Sequence, residues 1–324
     1  MFENEQKLVT VIIPIFNEYE AIPFLVKSLN KFFEENIEIR GEVIFVNDGS
    51  RDRSGDKLSQ MAHETYQAKI INLSRNFGSH AALRAGISHA SGDFICFNYA
   101  DLQDPLELIV EMKSKMEEAN DIIWAQREST RSSLAEKVFS SSYAFLMKKF
   151  AFKNFPEKGF DIVMFNKKVS IELVRNVEAN SSIFLQILGL GFRQTCISYK
   201  KRERKTGASK WTISKKIKLF IDSFVAFSFA PIRLVSIVGI MFFILGIFWT
   251  GYIIFRKLVF DDLASGWPAL ISILMVGFGI TNISLGIIAE YLWRTLDASR
   301  KRPVFVIDEV VELNKESEVL YQVK

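Results

Sequence analysis

Residues 234–255 carry no charge between Arg233 and Arg256, and residues 267–289 carry none before Glu290. Each block is close to the roughly 20 apolar residues that cross a bilayer core of about 30 Å. Neither block shows a polar face, which argues against two buried core helices and for two membrane spans. Everything else in the 324-residue chain must fold around that fact. The residues before the first span suffice for one α/β domain with a sizeable core.

Charge placement sets the expected orientation. Lys215, Lys216, Lys218 and Arg233 precede the first block, and Arg294, Arg300, Lys301 and Arg302 follow the second. The short connection between the blocks balances Arg256 and Lys257 against Asp261 and Asp262. By the positive-inside rule both termini face the cytoplasm and the connection lies outside. No apolar segment stands at the N-terminus, so the large domain is expected to stay in the cytosol. In that compartment Cys96 and Cys196, both in apolar surroundings, read as two buried free thiols. His63, His80 and His89 show no ligand spacing with the cysteines, and no zinc site is expected.

The first 125 residues alternate short apolar runs with helical patterns. Strands are expected over 8–14, 42–46, 69–73, a run ending at Asp101, and 122–125. Helices are expected over 22–33, 54–66 and 79–90. Such alternation argues a parallel, doubly wound sheet, in which ligands bind beyond the carboxyl ends of the strands. Asp48, Arg75 and Asp101 fall at such ends. Further on, 161–165 reads as a strand and 171–177 as a short helix. Residues 212–229 repeat apolar side chains at helical spacing opposite Lys215, Lys216 and Lys218. That pattern suits a helix in the membrane interface, with a core helix as the other reading. The acidic tail beyond Asp308 reads as loosely ordered.

The run Phe94-Ile95-Cys96-Phe97-Asn98-Tyr99-Ala100-Asp101-Leu102-Gln103-Asp104-Pro105 carries the most chemistry. An apolar strand ends in two carboxylates and a carboxamide, the hard oxygen donors that let a divalent cation hold a diphosphate. Where a two-carboxylate clamp would have its first acid, position 99 is tyrosine. Other nucleotide motifs are missing. There is no Gly-x-Gly-x-x-Gly after the first strand, no Gly-x-x-x-x-Gly-Lys-Ser/Thr and no Gly-x-Ser-x-Gly. Dinucleotide oxidoreductases, P-loop NTPases and hydrolase triads therefore lack support.

Several pieces, in order, resemble the family-2 glycosyltransferases, specifically polyprenyl-phosphate sugar transferases related to dolichol-phosphate mannose synthase. They are Pro14-Ile15-Phe16-Asn17-Glu18, the run 45–54 with Asn47-Asp48-Gly49-Ser50, Ser74-Arg75-Asn76-Phe77-Gly78 and Ala100-Asp101-Leu102-Gln103-Asp104-Pro105. Gly159-Phe160-Asp161, the run 204–211 and the paired blocks ending Glu290-Tyr291-Leu292-Trp293-Arg294 complete the set. The resemblance implies a glycosyltransferase-A-type domain, Rossmann-like with a mostly parallel sheet, followed by interfacial helices and a two-helix transmembrane hairpin. The expected layout is a cytosolic catalytic domain at 1–211, juxtamembrane helices at 212–232, spans at 233–256 and 267–290, an outer loop at 257–266, and a cytosolic tail at 291–324.

By the same resemblance, Pro14, Asn17, Glu18, Asp48, Arg75, Asp101 and Gln103 bind a nucleotide-sugar. Asp101 and Gln103 reach Mg²⁺ or Mn²⁺ and the diphosphate. Asp161 orients the acceptor or acts as base, so Asp101 and Asp161 are the candidate catalytic pair. Arg127 and Arg131 read either as a solvated loop or as arginine forks on phosphate. Arg204, Ser209 and Lys210 belong either to a lipid-facing basic cluster or to a loop closing over the acceptor phosphate. Asp104 reads equally as a helix N-terminal residue or as an acid behind the metal.

The implied reaction moves one sugar from a UDP- or GDP-sugar to a polyprenyl phosphate at the cytosolic leaflet of a bacterial plasma membrane, with inversion. Membrane lipids are the other expected partner, and no nucleic acid is. Glycines 239, 246, 277, 279 and 286 would permit helix packing in a homo-oligomer. Rivals are a processive polysaccharide synthase, which the missing Gln-x-x-Arg-Trp motif disfavours, and a catalytically impaired scaffold, to which Tyr99 and Asn47 lend support. A transporter is disfavoured by two spans without intramembrane charge.

Overall fold

The computed structural model describes residues 6–128, 134–152, 155–156, 160, 162–177, 181–202, 230–260, 266–300 and 302–313. The chain forms two compact units, residues 1–220 together with 303–324, and residues 221–302.

The first unit is built on eight strands: β1 (Leu8–Ile15), β2 (Arg40–Asn47), β3 (Gln67–Leu73), β4 (Phe94–Phe97), β5 (Ile122–Arg127), β6 (Ile162–Asn166), β7 (Gln194–Tyr199) and β8 (Ile307–Glu312). They form one sheet in the order β7-β5-β6-β4-β1-β2-β3-β8. β1 runs parallel to β2 and β4, β2 to β3, and β5 to β7. β6 is antiparallel to β4 and β5, and β8 to β3. β1 sits near the centre, and its Val9, Val11, Ile12, Ile13 and Ile15 are wholly buried. A continuous apolar run is what a parallel strand covered on both faces requires.

Among the described residues, seven helices belong to this unit: α1 (Ile22–Glu35), α2 (Ser54–Ser59), α3 (Ser79–His89), α4 (Leu108–Glu117), α5 (Leu134–Phe150), α6 (Lys167–Arg175) and α7 (Ile183–Gly189). α1 begins with proline in its first turn and buries Ile22, Leu25, Val26, Leu29, Phe32 and Phe33, a stripe at helical spacing. Burying each such side chain contributes about 1.5–3 kcal/mol. α3 lies against β1 so closely that a Cβ on Gly86 would run into Ile12. Larger residues there would lift the helix, whose first turn faces the strand ends.

Glu42 on β2 is fully buried. It accepts from Thr10 Oγ1 at 2.5 Å, Lys69 Nζ at 2.8 Å, Ser91 N at 2.9 Å and Ser91 Oγ at 2.5 Å. These bonds tie the turn before β4 to β1, β2 and β3. They more than offset burial, and hold the Glu42 carboxyl below its ordinary range.

Four expectations need correction. The strand expected to end at Asp101 stops at Phe97, because Asn98 makes the last ladder-like bond, to Ile12 O at 3.0 Å, and its side chain then accepts the Tyr99 amide at 2.7 Å. A side chain that bonds the next amide competes with the ladder and turns the chain. α2 ends at Ser59 instead of running on to 66, since His63 turns inward to bond Leu58 O and Tyr66 Oη. Cys96 is buried but Cys196 is exposed, on the edge strand β7; both are free. The tail is not loose through Glu312: β8 pairs with the open edge of β3, and Leu313 N continues the pairing to Ala68 O at 2.9 Å. An unpaired sheet edge is satisfied by adding a strand.

The second unit contains two long helices, Ala230–Phe260 and Trp267–Arg300. Each runs past the end of its uncharged block. Among the described residues one window, Val276–Trp293, is long and apolar enough to cross a membrane, and none of it is buried inside the protein. Thr281, Asn282 and Ser284 donate to the carbonyls four residues back, at 2.8–2.9 Å. Polar side chains satisfied within their own helix suit an apolar medium. The expected interfacial helix at 212–229 lies outside the described residues.

Candidate active site

Because β1 lies between β2 and β4, the turns that follow these strands are neighbours. Pro14, half-buried, is the penultimate residue of β1, and the turn that follows carries Asn17 and Glu18. Asn17 takes a left-handed backbone, φ 52°. It is held there by two bonds to the turn after β2: its amide donates to Ser50 Oγ at 3.0 Å, and its Oδ1 accepts Arg51 N at 2.9 Å. Glu18 N donates to Ser54 Oγ and Tyr19 N to Asp52 Oδ2, each at 3.0 Å. Asp52 also accepts from Ser54; these bonds outweigh burial and hold its carboxyl below the usual range.

Asp48 directly follows β2 and is 3% exposed. Its carboxylate accepts Phe77 N at 2.7 Å and Gly78 N at 2.9 Å, while its carbonyl accepts Asn76 Nδ2 at 3.2 Å. The side chain thus fastens the turn after β2 to the turn before α3. Burial pushes the Asp48 carboxyl up, and the two amides and Arg75 pull against it. Gly49, at φ 64°, lets the turns meet, since a Cβ there would strike the Arg75 and Asn76 backbone. Arg75 is exposed and lies over the Phe77 ring at 4.0 Å. Asn47, which raised doubt beside Asp48, bonds Asn72 Oδ1 at 2.9 Å and accepts Ser50 N at 3.1 Å, so it shapes the same turn.

The loop after β4 holds the half-buried Asp101 and Gln103, with Asp101 Oδ1 accepting Gln103 N at 3.3 Å. Leu102 between them has φ 52°. Asp104 does not cap α4, whose N-cap is Glu107. It is 2% exposed, accepts Tyr199 Oη at 2.5 Å and lies 3.4 Å from Lys201 Nζ. Of its two sequence readings, the helix N-terminal one is not observed. Burial and the neighbouring Asp104 push the Tyr99 and Tyr199 phenols up. Both therefore stay neutral, and position 99 supplies no charge. Arg127, at the end of β5, bonds Tyr199 and acts electrostatically on Tyr99 and Lys201 together with Asp101. Burial pulls the Lys201 ammonium down.

Asp101, Gln103 and Arg127 are thus brought into one neighbourhood, and Asp48 and Arg75 into an adjoining one. Asp161, Arg131, Arg204, Ser209 and Lys210 lie outside the described residues. Sequence reading left out Tyr199, which carries no motif of its own, and took Lys201 only as the start of the basic run before the membrane. Among the described residues no group of three His, Cys, Asp or Glu is placed to hold a metal.

Residues 10–174 match the model of glycosyl transferase family 2, and the chain belongs to that family. It is a glycosyltransferase, on an α/β fold with a mostly parallel mixed sheet. It is 32% identical over 299 residues to the uncharacterized glycosyltransferase YkcC of Bacillus subtilis, covering 92% of each chain. Over 306 residues it is 30% identical to the prophage bactoprenol glucosyl transferase homolog of Escherichia coli, covering 93% of this chain and 99% of that one. Identity is also 30%, over 97% of both chains, to the undecaprenyl-phosphate 4-deoxy-4-formamido-L-arabinose transferase of Proteus mirabilis.

Proposed function

We propose that this glycosyltransferase moves one sugar from a UDP- or GDP-sugar to a polyprenyl phosphate at the cytosolic leaflet of a bacterial plasma membrane, inverting the anomeric carbon. The observation that carries the reading is the loop after β4, where Asp101 accepts the Gln103 amide and Lys201 feels the charges of both Asp101 and Arg127, in a chain that also has the apolar window Val276–Trp293, none of it buried inside the protein. The names of the E. coli and P. mirabilis relatives, which span nearly all of both chains, support the acceptor class.

In this reading a phosphate oxygen of the lipid attacks the anomeric carbon while the bond from that carbon to the nucleoside diphosphate breaks, its electron pair leaving with the diphosphate. A lipid phosphate near neutral pH is already anionic, so little is asked of a base. Positioning and charge stabilisation carry the rate. The turns of Pro14, Asn17 and Glu18 and of Asp48 and Arg75 hold the nucleotide. Asp48 acts there through the Phe77 and Gly78 amides it fixes. Asp101 and Gln103 offer one carboxylate and one carboxamide, a donor set that fits Mg²⁺ or Mn²⁺ when phosphate oxygens and water complete the coordination. Asp101 and Gln103 would hold such a cation where it could neutralise charge on the diphosphate. Arg127 contributes to the same end, and Arg131, Arg204, Ser209, Lys210 and Asp161 are assigned to the acceptor.

The membrane layout is part of the proposal: two spans, both termini cytoplasmic, and a catalytic domain that runs to about residue 211. The strand β8 adds residues 307–312 to that domain. The decisive experiment incubates detergent-purified protein with undecaprenyl phosphate, Mg²⁺ or Mn²⁺, and labelled UDP- and GDP-sugars in turn. Label is expected in the solvent-extractable lipid with at least one donor. No extractable label from any common donor with either metal refutes the assignment.

A further inference from the structure

Four contacts join the loop after β4 to the chain leaving β7. Tyr199 Oη donates to Asp104 Oδ1 at 2.5 Å, and Lys201 Nζ stands 3.4 Å from Asp104 Oδ2. Arg202 N donates to Gln103 O at 2.9 Å, and Arg202 Nη2 meets Glu107 Oε1 at 3.0 Å. The two segments are about a hundred residues apart in sequence, and the Asp104 side chain between them is 1% exposed. A buried carboxylate is costly unless charge and hydrogen bonds compensate it, and removing one partner loosens everything it held. One segment carries Asp101 and Gln103; from the other the basic run 201–210 continues.

We propose that Asp104 is a positioning residue, a latch that holds the diphosphate loop and the start of the basic acceptor segment in one register. Donor and acceptor sites are then coupled: whatever orders residues 98–105 also orders 199–202. The Arg202 amide reports the latch directly, because its acceptor is the Gln103 carbonyl. The inference rests on the transferase reading above. A carboxylate that served only packing would stabilise the domain without transmitting anything between the segments.

Hydrogen exchange on the full-length protein in detergent tests this, with UDP or GDP plus Mg²⁺ as probes. In Asp104→Asn, exchange in both 98–105 and 199–202 is expected to quicken about tenfold, the scale of one charge-assisted hydrogen bond. Strands β1 and β2 should not change. In the wild type a nucleotide with Mg²⁺ should slow both segments, and in Asp104→Asn only 98–105. Tyr199→Phe, which keeps the ring and removes the 2.5 Å bond, should shift both segments the same way by less, and it decides the matter if Asp104→Asn does not fold. If a nucleotide slows 98–105 in the wild type and the variants still couple the two segments as the wild type does, the latch is wrong and the transferase reading stands. If neither nucleotide slows 98–105 even in the wild type, the donor site is wrong and the latch falls with it.

Discussion

The Asp48 carboxylate accepts the Gly78 amide at 2.9 Å, and through this bond the end of β2 sets the turn that opens α3. Its other oxygen takes the Phe77 amide at 2.7 Å. In Asp48→Asn one oxygen still accepts, but the new NH₂ group faces an amide N–H, donor against donor. Leaving such a pair unsatisfied costs about 1–3 kcal/mol. The variant is expected to melt earlier and to bind UDP or GDP at least about tenfold more weakly, as calorimetry would show. Unchanged nucleotide affinity would remove the turn from the donor site.

Glu42 gives the catalytic unit an acid-sensitive point. Its carboxyl is held below the ordinary value, so the folded state binds its proton less readily than the unfolded chain. The stability it contributes is complete above the ordinary carboxylate pKa of about 4.3 and is lost as pH falls through the lower folded value. Glu42→Gln should cost about 3 kcal/mol at neutral pH, the scale of a broken buried ion pair. It should also flatten the loss below pH about 4.3. Denaturant titrations at a series of pH values provide the check, and parallel wild-type and variant curves would exclude Glu42 as the source.

His80, on the first turn of α3, behaves in the opposite chemical sense but with the same pH direction. Among the described residues neither ring nitrogen has a hydrogen-bond partner, and burial together with Arg84 pushes its pKa down to about 4. The unfolded imidazole takes its proton near 6.5. Stability is therefore expected to fall as pH drops from about 6.5 toward 4. His80→Leu removes two unsatisfied polar atoms while keeping contact with Phe184, so it should be at least as stable as the wild type at neutral pH. Between pH 6.5 and 4 its melting temperature should drift less. A marked loss of stability at neutral pH would mean that the ring nitrogens are satisfied in solution.

The tail strand can be tested by its alternation. Val311 packs against the core, whereas Val310, its neighbour on the other face, is 41% exposed. Val311→Asp should destabilise the catalytic unit by about 1–3 kcal/mol, the loss of a packed apolar side chain plus the burial of charge. Val310→Asp should be close to neutral. Equal melting temperatures for the two variants would detach β8 from β3.

The difference between what was legible and what was not follows from range. β1, β2 and β5 announce themselves as mainly apolar runs, and α1 by its stripe, because burial on a strand or helix face leaves a local pattern. Asp48, Arg75 and Asp101 are placed near strand ends by the same local signal. The partnership of Asp104 with Tyr199 leaves no such trace: it joins residues 95 apart, and a tyrosine at the end of a strand is commonplace. β8 was hidden because only Val310 and Val311 interrupt its charges, and an edge strand has only one neighbour to satisfy. Cys196 looked buried for the converse reason, since apolar neighbours in sequence do not cover a strand at the sheet's edge.

Tyr99 stands where a second metal-binding acid was expected, half-buried beside Asp101 and Asp104. Burial and those carboxylates hold its phenol neutral, so position 99 adds no charge to the loop that Asp101 and Asp104 share, where a clamp would carry a further acid. Tyr99→Asp adds a carboxylate to a place already crowded with acids, and without metal the repulsion should lower the melting temperature. With Mg²⁺ or Mn²⁺ present the sign reverses, because the cation compensates the added charge. The metal concentration for half-maximal sugar transfer to undecaprenyl phosphate should fall about tenfold, the worth of about 1.4 kcal/mol of added cation binding. Tyr99→Phe keeps the ring and should leave that concentration unchanged. If Tyr99→Asp responds to metal as the wild type does, in both melting and transfer, position 99 lies outside the cation's reach and Asp101 with Gln103 must hold it alone.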